Sequence, residues 1–153
     1  MLAALLVGLL PSATSASTPS SGTLTDASPT VTWSGGPYTV ATPETVLCVD
    51  ASVNCDTFAL SFGVPADYWD SHEGGVTVAI NWASSADDFD LYIQDASGAK
   101  VGWSAAGGTT SERVNLGKLA PGTYTVQVVA WLTAGASYTG AATLTSTATP
   151  AGM

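Results

Sequence analysis

Three carboxylates crowd one short stretch of the chain, Asp87, Asp88 and Asp90 in ADDFDLYIQDASGAK, residues 86–100. An irregular loop rich in oxygen suits calcium, a hard cation that takes six to eight oxygens from carboxylates and backbone carbonyls. Asp88 and Asp90 share one side of an alternating run, whereas Asp87 falls on the other side if the strand has already begun. The spacing is not that of a DxDxDG loop with a distal Glu. Asp87, Asp88 and Asp90 are therefore the expected metal ligands, with a solvated acidic strand end as the alternative. No cofactor is required; calcium is the ion this cluster could take. A second polar cluster is Trp69-Asp70-Ser71-His72-Glu73-Gly74-Gly75. His72 with Asp70 or Glu73 could serve as a general acid or base. No GxSxG element, reactive Cys or HExxH helix accompanies it, so an exposed polar loop is the plainer reading. Twelve carboxylates would supply a glycosidase pair by number, but a chain without long insertions cannot easily wall a cleft. The expectation is a protein that binds and does not catalyse. Its candidate ligand-binding residues are Tyr92 on the polar side of its strand, Trp131 on the Thr125/Gln127 side, and Trp69 in a loop. Exposed aromatic rings offer a large contact area at low entropic cost. Trp33, Trp82 and Trp103 read as core.

The elements that must position these residues are strands. Phe89, Leu91 and Ile93 alternate with Asp90, Tyr92 and Gln94, the period of a half-buried strand. Asp95-Ala96-Ser97-Gly98 follows with turn chemistry, and Val101 to Trp103 resumes an extended run, which predicts a hairpin. Elsewhere Phe58, Leu60 and Phe62 alternate with Thr57, Ala59 and Ser61, and Val76, Val78, Ile80 and Trp82 keep the same period. Val114 and Leu116 form another run. Pro121-Gly122 turns the chain into Tyr124, Val126 and Val128, and Tyr138 and Leu144 lie in a last Thr/Ala-rich strand. Further short strands are expected around Val31 to Val40 and Val46 to Asp50. Eight to ten strands of this kind predict an all-β fold, an antiparallel β-sandwich of jelly-roll type, with a closed barrel as the alternative.

Composition predicts a secreted chain. Twelve acidic residues face three basic ones, Lys100, Arg113 and Lys118, for a net charge of −9. No cationic patch exists to neutralise phosphates, so nucleic acid is not an expected partner. Residues 1–16 read as a secretory leader: Ala3 to Leu10 is almost wholly apolar, Pro11 and Ser12 break it, and Thr14-Ser15-Ala16 fits the small-x-small cleavage rule. No Lys or Arg precedes the apolar run; a strand or short helix of the domain is the other reading. The run is far short of the ~20 residues of a membrane span. The mature chain would begin near Ser17. Residues 17–29, STPSSGTLTDASP, read as a flexible linker, residues 30–147 as the domain and residues 148–153 as a tail. Cys48 and Cys55 are the only cysteines, and in an oxidising compartment they would close a small disulfide loop worth about 2–3 kcal/mol.

Three pieces in order carry a family resemblance: Asp56-Thr57-Phe58-Ala59-Leu60, then Asp90-Leu91-Tyr92-Ile93 with the Asp95 turn, then Pro121-Gly122-Thr123-Tyr124-Thr125-Val126, closed by Tyr138. Together they resemble the bacterial pre-peptidase C-terminal domain, over roughly residues 30–146. The resemblance implies a non-catalytic β-sandwich module of a secreted bacterial protein, one that assists secretion or adhesion of an exoenzyme to its substrate. The implied partners are an extracellular polymer, protein or polysaccharide, or an attached exoenzyme. A carbohydrate-binding module would instead need coplanar exposed rings among Tyr92, Trp69, Trp131 and Tyr68. Leu91 and Ile93 are expected in the core, Tyr124 inward with its hydroxyl bonded near an edge, and Asp56 and Asp90 at turns or on backbone amides.

Overall fold

The computed structural model describes residues 17–42 and 54–152. Within them the chain is all-β, with eight strands: β1 (Ser21–Leu24), β2 (Thr30–Val40), β3 (Cys55–Phe62), β4 (His72–Trp82), β5 (Asp88–Gln94), β6 (Lys100–Ser104), β7 (Ser111–Gly117) and β8 (Gly122–Ala148). A 3-10 turn, Tyr68–Asp70, precedes β4. No helix among the described residues is long and apolar enough to cross a membrane.

β8 organises the rest. Residues 122–132 of this long strand pair with β3 on one side and β5 on the other, and β1 and β6 extend that layer at its two edges. Residues 133–148 pair with β2 and β4, and β7 lies outside β4. All eight strands thus belong to one open sheet that β8 carries from one layer of a sandwich into the other. The sheet is mixed, because β1 runs parallel to β3 while the other pairs are antiparallel. The alternating runs supply the two inner faces. Phe58, Leu60, Phe62, Leu91, Ile93 and Val126 come from one layer, and Trp33, Val76, Val78, Ile80, Ala142 and Leu144 from the other. Trp33 stacks on Phe58 across the gap, with ring centroids 4.1 Å apart. Burying each such side chain contributes roughly 1.5–3 kcal/mol, which makes a one-residue register slip prohibitive.

Several expectations need correction. Residues 17–29 are not a free linker: Ser17 is buried, Thr18 pairs with Ser34, and β1 places Leu24 in the core. Tyr68 donates to Asp26 Oδ1 at 2.6 Å, which ties the end of this segment down as well. Ser and Thr dominate the stretch, and its single buried leucine and its backbone pairing are enough to order it. Trp33 and Trp82 are core as expected, but Trp103 is not; it is 60% exposed. Tyr138 and Leu144, expected in a separate last strand, lie on the same strand as Tyr124, Val126 and Val128, since β8 runs from Gly122 to Ala148. The expected strand at Val46 to Asp50 lies outside the described residues. So does Cys48, and with it the expected Cys48–Cys55 bridge; Cys55 itself is buried at the start of β3.

Candidate binding face

Because Phe89, Leu91 and Ile93 point into the core, Asp88, Asp90, Tyr92 and Gln94 face away from it. The register then sets a row across the outer face of this layer, Thr57, Gln127, Tyr92 and Trp103, on β3, β8, β5 and β6. The β5–β6 hairpin that brings Tyr92 beside Trp103 is closed by Asp95, whose carboxylate accepts from Ser97 N at 2.9 Å, Ser97 Oγ at 2.6 Å and Ala99 N at 3.0 Å. Gly98 takes the φ of 82° that this turn requires. Lys100 lies over both rings, its Nζ 4.1 Å from the Trp103 centroid and 5.8 Å from that of Tyr92. Trp103 and Val101, both on edge strand β6, are the exposed large hydrophobic residues among those described.

The other aromatic candidates are engaged. Trp69 packs against the core and donates its indole N–H to Leu119 O at 2.7 Å. Tyr68 is buried, and its hydroxyl also lies 2.6 Å from Ser146 Oγ. Trp131 is half-buried at a bulge, where the β5 register passes from Ala130 to Leu132. Only Tyr92 of the expected residues joins the exposed patch. Its companions are Trp103, expected in the core, and Lys100, not among the expected site residues, because the hairpin register, and not their own alternation, decides where they point.

The acidic cluster is rearranged. Asp87 Oδ1 accepts from Ala134 N at 2.9 Å and takes no part in the group. Asp88 and Asp90 are instead in electrostatic contact with Glu112 of β7. Glu112 is buried and accepts from Ser104 Oγ and, at 2.6 Å, from Ala106 N. No grouping of three His, Cys, Asp or Glu side chains suited to a metal ion occurs among the described residues. Burial, followed by the negative charges of Asp88 and Glu112, pushes the Asp90 carboxyl up to about 6. Its folded value exceeds its unfolded one, so the folded state binds the proton more tightly, and stability should fall as pH rises from about 4 to about 6. Asp90→Asn should flatten the melting temperature over that window. It should also stabilise the protein at pH 7 by on the order of 1 kcal/mol, a figure discounted for partial exposure.

His72 has a packing role. Its ring stacks on Tyr68 at 4.1 Å, Nδ1 lies 2.9 Å from Tyr68 O, and neighbouring Glu73 pairs with Lys118 at 2.9 Å. Asp56 is not a turn residue but does meet backbone amides, those of Ser17 and Thr57; it is fully buried and also accepts from the Tyr138 hydroxyl at 2.7 Å. Tyr124 meets expectation, packing inward with its hydroxyl 2.6 Å from Ala120 O.

Neither a protein-family model nor a curated protein matches the chain. Among solved structures it is similar to the pre-peptidase C-terminal domain of collagenase from Bacillus anthracis, with a TM-score of 0.52, 10% identity, and 80% of this chain and 93% of that one covered. A lower similarity is found to PliG of Aeromonas hydrophila, a periplasmic inhibitor of g-type lysozyme, with a TM-score of 0.37, 13% identity, and 82% and 97% covered. The first of these shows a shared fold.

Proposed function

We propose that this chain is a non-catalytic accessory module of a secreted bacterial protein, which adheres to an extracellular polymer through the outer face of β5 and β6. The observation that carries the reading is Trp103, 60% exposed beside Tyr92 on a rigid hairpin. Leaving a large indole in water forgoes its burial energy, and a ring held that way by paired strands is preorganised to stack on a ligand. A polysaccharide fits this face best. Its C–H surfaces can lie on the two rings while Gln94, Gln127 and Lys100 meet its hydroxyl or acidic groups. The likeness in fold to the pre-peptidase C-terminal domain of a collagenase supports the non-catalytic role.

Pull-down with cellulose, chitin, peptidoglycan and collagen tests the reading. Trp103→Ala should weaken adsorption to a polysaccharide at least tenfold and Tyr92→Ala about as much, while melting temperature changes little for the exposed Trp103. Adsorption that survives both substitutions, or that occurs on collagen alone, would reject it.

A further inference from the structure

Asp56 is a carboxylate with no cation. It is 0% exposed on the inner side of β3, between the layers; the Tyr138 hydroxyl donates to its Oδ2, the Tyr38 hydroxyl and the Ser17 and Thr57 amides also face it, and its Oδ1 receives no well-formed hydrogen bond. The three cations of the chain are committed elsewhere or distant: Lys118 to Glu73, Lys100 to the β5–β6 rings, and Arg113 to a strand edge. Burial raises its carboxyl above the ordinary carboxylate range, the mark of a buried acid that lacks a counter-charge.

Ser17 is the residue brought to this carboxylate. It is only 4% exposed, its Oγ donates to Thr57 O at 2.8 Å, and its backbone N–H faces Asp56. The next residue fixes it in place, with Thr18 N to Ser34 O at 2.8 Å and Ser34 N to Thr18 O at 3.0 Å. Gly35 follows, and its missing side chain leaves the space that Asp56 Oδ2 fills. The sequence immediately before Ser17 is Thr14-Ser15-Ala16, small at the third and first positions ahead of the bond.

We propose that the chain is cut between Ala16 and Ser17, and that the α-ammonium group so created is the missing counter-charge of Asp56. A peptidase of the leader-removing class would hydrolyse the peptide bond. Water adds across it, Ala16 departs with the leader as a carboxylate, and the Ser17 nitrogen takes up a proton to become an ammonium. A peptide N–H offers one hydrogen in a fixed direction, whereas an ammonium offers three and a full charge, so it can satisfy Oδ1. Because Ser17 is buried once the sandwich has formed, the cut must precede folding. Processing would then be read by the core, and the correctly trimmed chain would be the stable one.

The full chain is exported from a bacterial host and the product's first residue determined by mass and sequencing. The uncut chain is kept by Ala16→Leu. A product beginning at Ser17 is expected, melting at least 5 °C above the uncut chain. Its α-amine should be acylated at least tenfold more slowly in the folded protein than in urea. Asp56→Asn should remove most of that melting difference and restore the acylation rate. If Asp56→Asn fails to fold, the uncut comparison and the acylation rates decide alone. A product starting elsewhere, an uncut chain of equal stability, or an amine as reactive folded as unfolded would overturn the assignment. None of these measurements depends on the polymer-binding face.

Discussion

Gly140→Ala should cost about 3 kcal/mol, the upper end for adding one methyl group to a packed core, and should leave little of a stability that for a domain of this kind is about 5–15 kcal/mol. Gly140 stands on β8 between Trp33 of β2 and Ile80 of β4, in the middle of its layer. A Cβ there would overlap Cε2, Cζ2 and Nε1 of the Trp33 indole. The indole has little room to retreat, because Phe58 is stacked on it at 4.1 Å and an interplanar angle of 10°. The backbone is the part that must move, and with it pairings to two strands. Chemical denaturation checks the loss. A matched Trp33→Phe change, which withdraws the ring from the added methyl, should recover part of it, and the coupling between the two sites should exceed 1 kcal/mol. Equal losses in the single and double variants would show that the clash is absorbed elsewhere.

What could be read from the sequence divides along one physical line. Strand interiors were legible wherever one face is buried, because the period of two and the apolar side determine each other. Phe58, Leu60 and Phe62, Val76 to Trp82 and Phe89 to Ile93 all lie where the alternation puts them. The Asp95–Gly98 turn was legible because its chemistry is local. Properties set by pairing between distant strands were not. Trp103 looks like a core residue in a line of text, and only its position opposite Tyr92 on an edge strand turns it outward. Glu112 joins Asp88 and Asp90 across two layers, which no spacing within 86–100 could indicate. The polar composition of residues 17–29 concealed that the segment is held by backbone bonds to β3 and to Ser34. The site expected from three neighbouring aspartates therefore became two features: an aromatic pair on the outer face, and a carboxylate group whose third member comes from β7.

Tyr138→Phe should destabilise the protein by about 2–3 kcal/mol, although it removes a single oxygen and keeps the ring. Tyr138 is 2% exposed, opposite Trp82 in register and with its ring centroid 5.7 Å from that of Phe89, so phenylalanine preserves the packing. The loss is the hydroxyl's bond to the buried Asp56 carboxylate, and bonds to a charged acceptor are worth about twice those to a neutral one. Burial first, and the Asp56 charge second, hold the phenol well above its ordinary range, so it remains a donor at any pH the fold survives. Tyr124→Phe provides the control. That hydroxyl meets a neutral carbonyl, Ala120 O, and its loss should cost about 1 kcal/mol or less. The two variants should therefore separate by several degrees in melting temperature. Asp56→Asn combined with Tyr138→Phe should be less destabilising than the two changes added, because the neutral amide no longer needs the phenol's hydrogen. Equal costs for Tyr138→Phe and Tyr124→Phe would mean that Asp56 is held uncharged in the core, and the same result would remove its need for a counter-charge at Ser17.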